Sequence, residues 1–561
     1  MALHQMLLIT ATILNSFVLV QSDQPKVTTE NGVVVGTYKS SHSGLIYKSF
    51  EGIPYAKPPV NDYRFKESQP LEKKWLGEWN ATAPGAPCMQ WTHFTKTKKD
   101  DGYFEYEVIG DEDCLFINVY TRDTVKVNKD VIVHIHGGAF MFGFGHNYGP
   151  DYIIDHDDIV YVTFNYRLGP LGFLSTGDSI IPGNNGLKDQ VAALSWIQRN
   201  IVAFGGDPSK VAINGLSAGG ASVHYMYLSP LSNGLFNRGY SYSGTALCPW
   251  ALVKDLPQKT RHLAGMLGCP TTDSRSILKC LKRRPARQIV KQMKNFQVWL
   301  YNPFTVFGPV VEVGSATPFI DQHPIDIIQQ GKAKDLPWIT GVTSEEGLYP
   351  AGEFVNEDSF LKDLNNNWET IASSLLFFND SYPQRSHSQL SQKIKDAYLK
   401  GKPISSETTK ELVQMIGDRA FVAPAVETAI LHARHNTQPV YMYRFTYESE
   451  KSISVYISGS KKVFGVSHAD DVAYVIKMRL ESRVSESDKK IAKLLEDILL
   501  TFSKTGQVPK SLSWSPVSSS GPLEYLEISS PEKITMKKEP LGNLKELNKI
   551  FPKDTALKDE L

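Results

Sequence analysis

Residues 211–230 read VAINGLSAGGASVHYMYLSP: a β-rich run, then Gly215-Leu216-Ser217-Ala218-Gly219-Gly220, then a helical run. A serine set between a strand and a helix sits on a turn so tight that a side chain two residues to either side would clash. Gly215 and Gly219 are what that backbone demands, and the Ser217 Oγ is left projecting clear of the sheet. This is the geometry of a nucleophile elbow. The five-residue pattern is short enough to arise by chance, so the rest of the chain must supply chemical partners.

A strand-to-helix turn presupposes strands that alternate with helices, and the chain has them. Short β-rich runs recur at Val131–Ile135, Ile159–Phe164, Val211–Asn214, Gly239–Ser243, Pro337–Thr340 and Val440–Phe445. Between them, 187–204 carries Val191, Leu194, Ile197 and Ile201 at helical spacing, and 487–506 predicts a helix that opens at Ser487 or Asp488 and closes on Gly506. The alternation predicts an α/β fold with a mainly parallel sheet. Near the N-terminus an Asn31-Gly32 turn between β-branched runs predicts a hairpin over 26–38. Residues 270–440 are less periodic and rich in aromatics and prolines, which fits loops and helices capping a sheet better than a second core. No linker or repeat interrupts 25–550, so one large domain is expected over 23–557.

Sixty Lys+Arg against 59 Asp+Glu give the 561 residues a net charge of +1, without the basic excess of a nucleic-acid binder. Met6–Val20 is a mostly apolar run ending in Val-Gln-Ser, which predicts a signal peptide over 1–22; it is too short for a comfortable membrane span, and no long apolar run follows it. Lys558-Asp559-Glu560-Leu561 matches the ER retrieval signal, whose receptor is then an expected partner. The two tags together predict the ER lumen. Five cysteines allow at most two bridges in that compartment, and the sequons at Asn80 and Asn379 are candidate glycosylation sites.

A nucleophilic serine needs a base to take its proton, an acid to hold that base, and amide donors for the oxyanion. The run Val131–Ile135 leads directly into HGGAF, 136–140, whose glycines let backbone N–H groups face a site; a glycine turn after a strand is also an ordinary structural device. His134 and His136 stand at a metal-ligand spacing with no third ligand cluster, so no metal is expected. The segment Thr343-Ser344-Glu345-Glu346-Gly347 follows a strand and places Glu346 or its neighbour at the sheet's C-terminal edge, and GVSHADD, 465–471, puts His468 in a loop beyond the strand Val440–Phe445.

FGGDPSKVAINGLSAGG (204–220), EDCLFINVY (112–120), FEGIPYAKPP, NYRLGPLGF and GNNGLKDQVAAL together resemble the type-B carboxylesterases of the α/β-hydrolase fold, the family that also holds the cholinesterases. The resemblance covers nearly the whole mature chain. It implies an ester-cleaving enzyme without a cofactor, acting on a small-molecule ester, with Ser217 as nucleophile, Glu346 as acid and His468 as base. It implies oxyanion donors at Gly138, Ala139 and Ala218, with Gly137 alongside. It implies disulfides Cys88–Cys114 and Cys269–Cys280, each closing a loop for roughly 3 kcal/mol, with Cys248 free. The departures bear on the substrate. Ala139 replaces a third glycine and is expected to narrow the acyl side. Leu216 stands where cholinesterases carry Glu, and Phe104 falls where they carry a choline-binding tryptophan, with Trp91 at the other end of that loop. These changes predict neutral, rather hydrophobic esters. SHADD resembles insect members of the family, including juvenile hormone esterases and detoxifying or odorant-degrading esterases. Some relatives keep the fold without catalysis, which leaves a non-catalytic or slow-turnover binding protein as the alternative.

Overall fold

The computed structural model describes residues 24–552 except 73, 99–103 and 479–480, and at 93, 95–98 and 104–106 its backbone alone. Eleven strands within it form one sheet: β3 (Thr37–Ser40), β4 (Ile46–Pro54), β8 (Phe116–Thr121), β9 (Lys129–Ile135), β10 (Ile159–Phe164), β11 (Gly206–Leu216), β12 (Arg238–Tyr242), β13 (Trp338–Thr343), β14 (Val440–Phe445), β15 (Tyr525–Ser530) and β16 (Lys533–Lys537). Outside it lie β1 (Lys26–Thr29), β2 (Gly32–Val35) and β5 (Glu78–Asn80) in one small sheet, and the hairpin β6 (Gln90–Lys98) and β7 (Phe104–Ile109).

The order across the large sheet is β16-β15-β14-β13-β12-β11-β9-β10-β8-β4-β3. From β10 through β15 every pairing is parallel, while β16, β8, β4 and β3 join antiparallel at the edges. The six runs expected from sequence are therefore six adjacent strands. β10 and β13 are buried at every residue, as strands covered on both faces must be. Alternation along the central strands sorts side chains into two cores. Val131, Val133, Val160, Val162, Val440 and Met442 face one apolar cluster, and Ile132, Tyr161, Tyr441 and Tyr443 face the other.

Three expectations are corrected. The N-terminal hairpin pairs Thr29 with Gly32, so its turn is Glu30-Asn31, and Asn31-Gly32 is displaced by one residue. Gly32 (φ +132°) opens the return strand, and a Cβ there would lie 2.5 Å from the Trp75 indole nitrogen. The late helix runs Glu486–Thr505 from an N-cap at Ser485, ahead of the expected Ser487 or Asp488, because Ser485 and Asp488 cap each other reciprocally. Lastly, 270–440 does more than cap the sheet. Helices Asp358–Asn366, Trp368–Leu375, His387–Leu399 and Thr409–Gly417 bury Leu361, Trp368, Ile371, Ile394 and Leu412 with Leu547 and Phe551 in a third apolar cluster. Three of the four run only eight or nine residues, too short to stand out by periodicity. Among the described residues no helix is long and apolar enough to cross a membrane.

Asp488 is buried and also accepts the hydroxyls of Tyr447 at 3.0 Å and Tyr474 at 3.1 Å, so the Ser485 cap anchors the helix to the core. Ser485→Ala is expected to lower stability by about 1 kcal/mol, read as a lower urea or thermal midpoint.

Candidate active site

Ser217 follows the last residue of β11 and precedes the helix Ala218–Leu228, at φ 60° and ψ −121°. A positive φ on a non-glycine residue costs ~1–3 kcal/mol and persists only where the surroundings over-determine it. They do so here by backbone crowding. A Cβ on Gly215 would lie 2.4 Å from the Gly219 carbonyl, one on Gly219 2.0 Å from the Ile135 oxygen, and one on Gly244 2.1 Å from the Ser217 oxygen. The Ser217 N–H donates to the Tyr242 carbonyl at 2.8 Å, and its own carbonyl accepts from Ala221 N–H at 2.8 Å.

Two strands away, Glu346 follows β13 and is 1% exposed. Its Oε1 accepts from Thr343 N–H at 2.8 Å and Ser243 Oγ at 2.5 Å, and its Oε2 meets His468 Nδ1 at 2.6 Å. A carboxylate there accepts a hydrogen bond from Nδ1–H, which leaves Nε2 as the basic nitrogen. Of the two candidate glutamates it is Glu346 that meets the histidine. Glu345 instead accepts from Val466 N–H at 2.8 Å and donates its own N–H to the Val466 carbonyl at 3.1 Å, pinning the histidine loop. His468 lies against Phe421 (4.6 Å between centroids) and Tyr349 (5.5 Å). Ala469 takes φ +79°, a backbone region that glycine adopts without strain and alanine does not.

The buried Asp470 accepts from Ser467 N–H at 2.7 Å, Ile453 N–H at 2.6 Å and Ser452 Oγ at 2.7 Å; burial pushes its carboxyl up to about 7 while these donors pull it down. Burial likewise pushes Asp471 up to about 6, opposed by the Tyr443 hydroxyl.

The 136–140 turn lies directly on the serine: a Cβ on Gly137 would be 2.6 Å from the Leu216 oxygen and 3.2 Å from the Ser217 Cβ. Gly138, Ala139 and Phe140 follow at φ +113°, +56° and +58°. Ser217, His468, Gly137 and Gly138 open on a cavity of ≈ 290 Å³ walled by Phe94, Ile109, Phe142, Phe144, Leu216, Ile453, Ile457 and Met478. Among its described lining residues none is Asp, Glu, Lys or Arg. Ala218 is fully buried at the start of the helix. Ala139, expected to narrow the acyl side, packs in the main core and is not on the cavity wall.

The Carboxylesterase family model matches residues 23–544. The chain belongs to the carboxylesterase family. It is 43% identical to "Venom carboxylesterase-6" of Apis mellifera over 91% of each chain, and 43% identical to "Esterase FE4" of Myzus persicae over 89% of this chain and 87% of that one. The crystal structure of juvenile hormone esterase from Manduca sexta superposes with a TM-score of 0.81 at 28% identity, covering 94% of this chain and 100% of that one. The fold is thus the α/β-hydrolase fold that the sequence resemblance implied.

The esterase contains the Cys88–Cys114 and Cys269–Cys280 disulfides and a buried free Cys248, whose thiol burial pushes up to about 12. His134 bonds Asn214 at 2.6 Å and His136 stacks on Tyr166 at 4.3 Å; burial lowers them to about 4 and about 3, so both are neutral core histidines. Trp91 stacks on Tyr301 at 5.6 Å and does not line the cavity. The Phe104 side chain, the expected leader at 1–22 and the Lys558–Leu561 tail lie outside the described residues. Asn80 is exposed, whereas Asn379 is half-buried with its Nδ2 donating to Asp380 at 2.8 Å. Ser243 carries no motif in the sequence, and Glu345, a candidate acid there, serves instead to pin the histidine loop. Ser243 is the residue after β12, level with the end of β13, and that edge position was its one signal.

Proposed function

We propose that this esterase cleaves carboxylic esters through Ser217, His468 and Glu346. The observation that carries the reading is the 2.6 Å bond from His468 Nδ1 to a buried Glu346, beside a strained Ser217 on the same cavity. Ser217 Oγ attacks the ester carbonyl carbon as its proton passes to His468 Nε2. The carbonyl oxygen becomes an oxyanion facing the amides of Gly138, Ala139 and Ala218, with Gly137 alongside. His468 then protonates the departing alkoxide, and the C–O bond breaks to leave an acyl-Ser217. Water attacks that acyl group, His468 again takes the proton, and the carboxylic acid leaves. Glu346 stays ionised and stabilises the imidazolium. The apolar walls and the absence of a charged side chain among the described lining residues support neutral, hydrophobic esters. They also support occupancy by substrate over a purely structural serine. The Lys558–Leu561 tail supports retention in the ER lumen.

Ser217→Ala is expected to lower kcat by roughly 10⁴- to 10⁶-fold without unfolding the protein, and Glu346→Gln to lose most activity. A fluorophosphonate probe should label the parent at Ser217 and not the alanine variant; labelling elsewhere in the cavity would refute the assignment. A stoichiometric burst followed by negligible turnover would mark a sequestering protein instead.

For the substrate, the comparison is kcat/KM for acetylthiocholine against its uncharged dimethylbutyl analogue. A carboxylate beside the serine would attract the cation by about 4 kcal/mol at 4 Å and an effective dielectric of 20, and Leu216 supplies none of it. No preference for the cation is expected. A preference that weakens as salt rises would overturn the neutral-ester reading.

Removing Lys558–Leu561 is expected to send the protein into the medium with unchanged specific activity. Retention of the folded, active truncated chain would refute the luminal address.

A further inference from the structure

Gln90 takes no part in the steps above, yet its side chain makes three hydrogen bonds while only 2% exposed. Its Oε1 accepts from Gly143 N–H at 2.8 Å, and its Nε2 donates to the carbonyls of Gly143 at 3.1 Å and Cys88 at 2.8 Å. The orientation of the amide is set by chemistry, because an N–H cannot accept and two carbonyls cannot donate. Both Nε2 hydrogens and the oxygen are engaged. The side chain therefore acts as a short piece of strand, pairing with both backbone groups of one residue.

That residue is the support of the turn against Ser217. Gly143 sits at φ +113°, and a Cβ on it would be 2.4 Å from the Gly137 oxygen and 2.6 Å from the His136 ring. Gly138 in turn accepts from Met141 N–H at 2.8 Å and Phe142 N–H at 2.9 Å, so 137–143 is one compact loop whose two ends touch. A run of positive-φ residues belongs to no helix or strand and must be held from outside. Asn165 makes a second tie: its Oδ1 accepts from Gly145 N–H at 2.9 Å, and its Nδ2 donates to the carbonyls of Ala86 at 3.0 Å and Cys114 at 3.2 Å. Both amides thus fasten the turn to the segment closed by the Cys88–Cys114 disulfide.

We propose that Gln90 is a positioning residue for the oxyanion turn, holding Gly143 so that the Gly138 and Ala139 amides face the developing oxyanion. The proposal rests on the triad reading above. Donors aimed at a developing charge work only at hydrogen-bond distance, and a misplacement of 1 Å costs about 10²-fold. Gln90 also borders the cavity, so two other roles make different forecasts: a wall for substrate, or plain support of the fold.

The test is Gln90→Met, which keeps length and removes all three bonds, beside Gln90→Asn, which keeps the amide one methylene short. For a neutral ester, kcat is expected to fall about 10- to 100-fold with KM within about twofold, and the thermal midpoint to drop as well because three backbone groups lose their partners. The affinity of a trifluoromethyl ketone, whose hemiketal with the serine carries an oxyanion, is expected to fall by the same factor as kcat/KM. Fluorophosphonate labelling and the Ser217→Ala variant run alongside. A raised KM with kcat and ketone affinity intact would make Gln90 a substrate wall and overturn the proposal. A lowered midpoint with ketone affinity intact would make it fold support only. If the methionine variant does not fold, the same readings on Gln90→Asn decide. Residual activity in Ser217→Ala would count against the triad itself, whereas an inactive Ser217→Ala with full kcat in Gln90→Met would defeat this inference alone.

Discussion

The contact on which the site depends is between backbones. At Ser217 four chain segments, β11, the helix after it, the turn after β9 and the bend after β12, approach so closely that Gly215, Gly219, Gly137 and Gly244 have no room for a Cβ. Close packing of this kind transmits position, because nothing in it can relax independently. It forces Ser217 into a φ it would not choose, and it lays the Gly137–Ala139 backbone beside the same residue. The proposed nucleophile and oxyanion donors are thus placed by one event, the docking of the strand–helix turn on its neighbours.

The proposed acid and base are placed differently, by hydrogen bonds to a buried carboxyl group. Glu346 is buried, and Thr343 N–H and Ser243 Oγ engage one of its oxygens while the imidazole engages the other. The loop bearing His468 is then tied twice over, to Glu345 from the β13 side and to Asp470 from within, and Asp470 extends the tie to Ser452 and Ile453 at the edge of the cavity wall. A histidine with one nitrogen committed and its ring held between Phe421 and Tyr349 has one direction left for its other nitrogen.

The central strands were legible because strands buried on both faces read as runs rich in β-branched and aromatic residues, as IVYVTF of β10 and WITGVT of β13 do, and the elbow was legible because crowding admits only glycine. Glu346 and His468 were legible through their motifs, although the choice between Glu345 and Glu346 turned on which carboxylate faces inward. Ser243 and Gln90 carry no pattern of their own. Each is an ordinary polar residue whose meaning comes from a partner far along the chain, 103 residues away for Ser243 and 53 for Gln90. The third apolar cluster was hidden for a related reason, since its short helices complete a core only when the distant Leu547–Phe551 segment joins them.

What the sequence determined by itself was the local backbone: where strands stop, where glycine is obligatory, and which residue types stand at those stops. Such features depend on sterics within a few residues of the chain and are written there directly. Tertiary structure alone decided which groups meet. It seated Ala139 in the core and not on the cavity wall, buried His134 and His136 as neutral packing residues, turned Glu346 and not Glu345 toward His468, and lined the cavity with apolar side chains from separate segments. Those outcomes depend on burial and on hydrogen-bond partners brought together by folding, and no local stretch of sequence contains either.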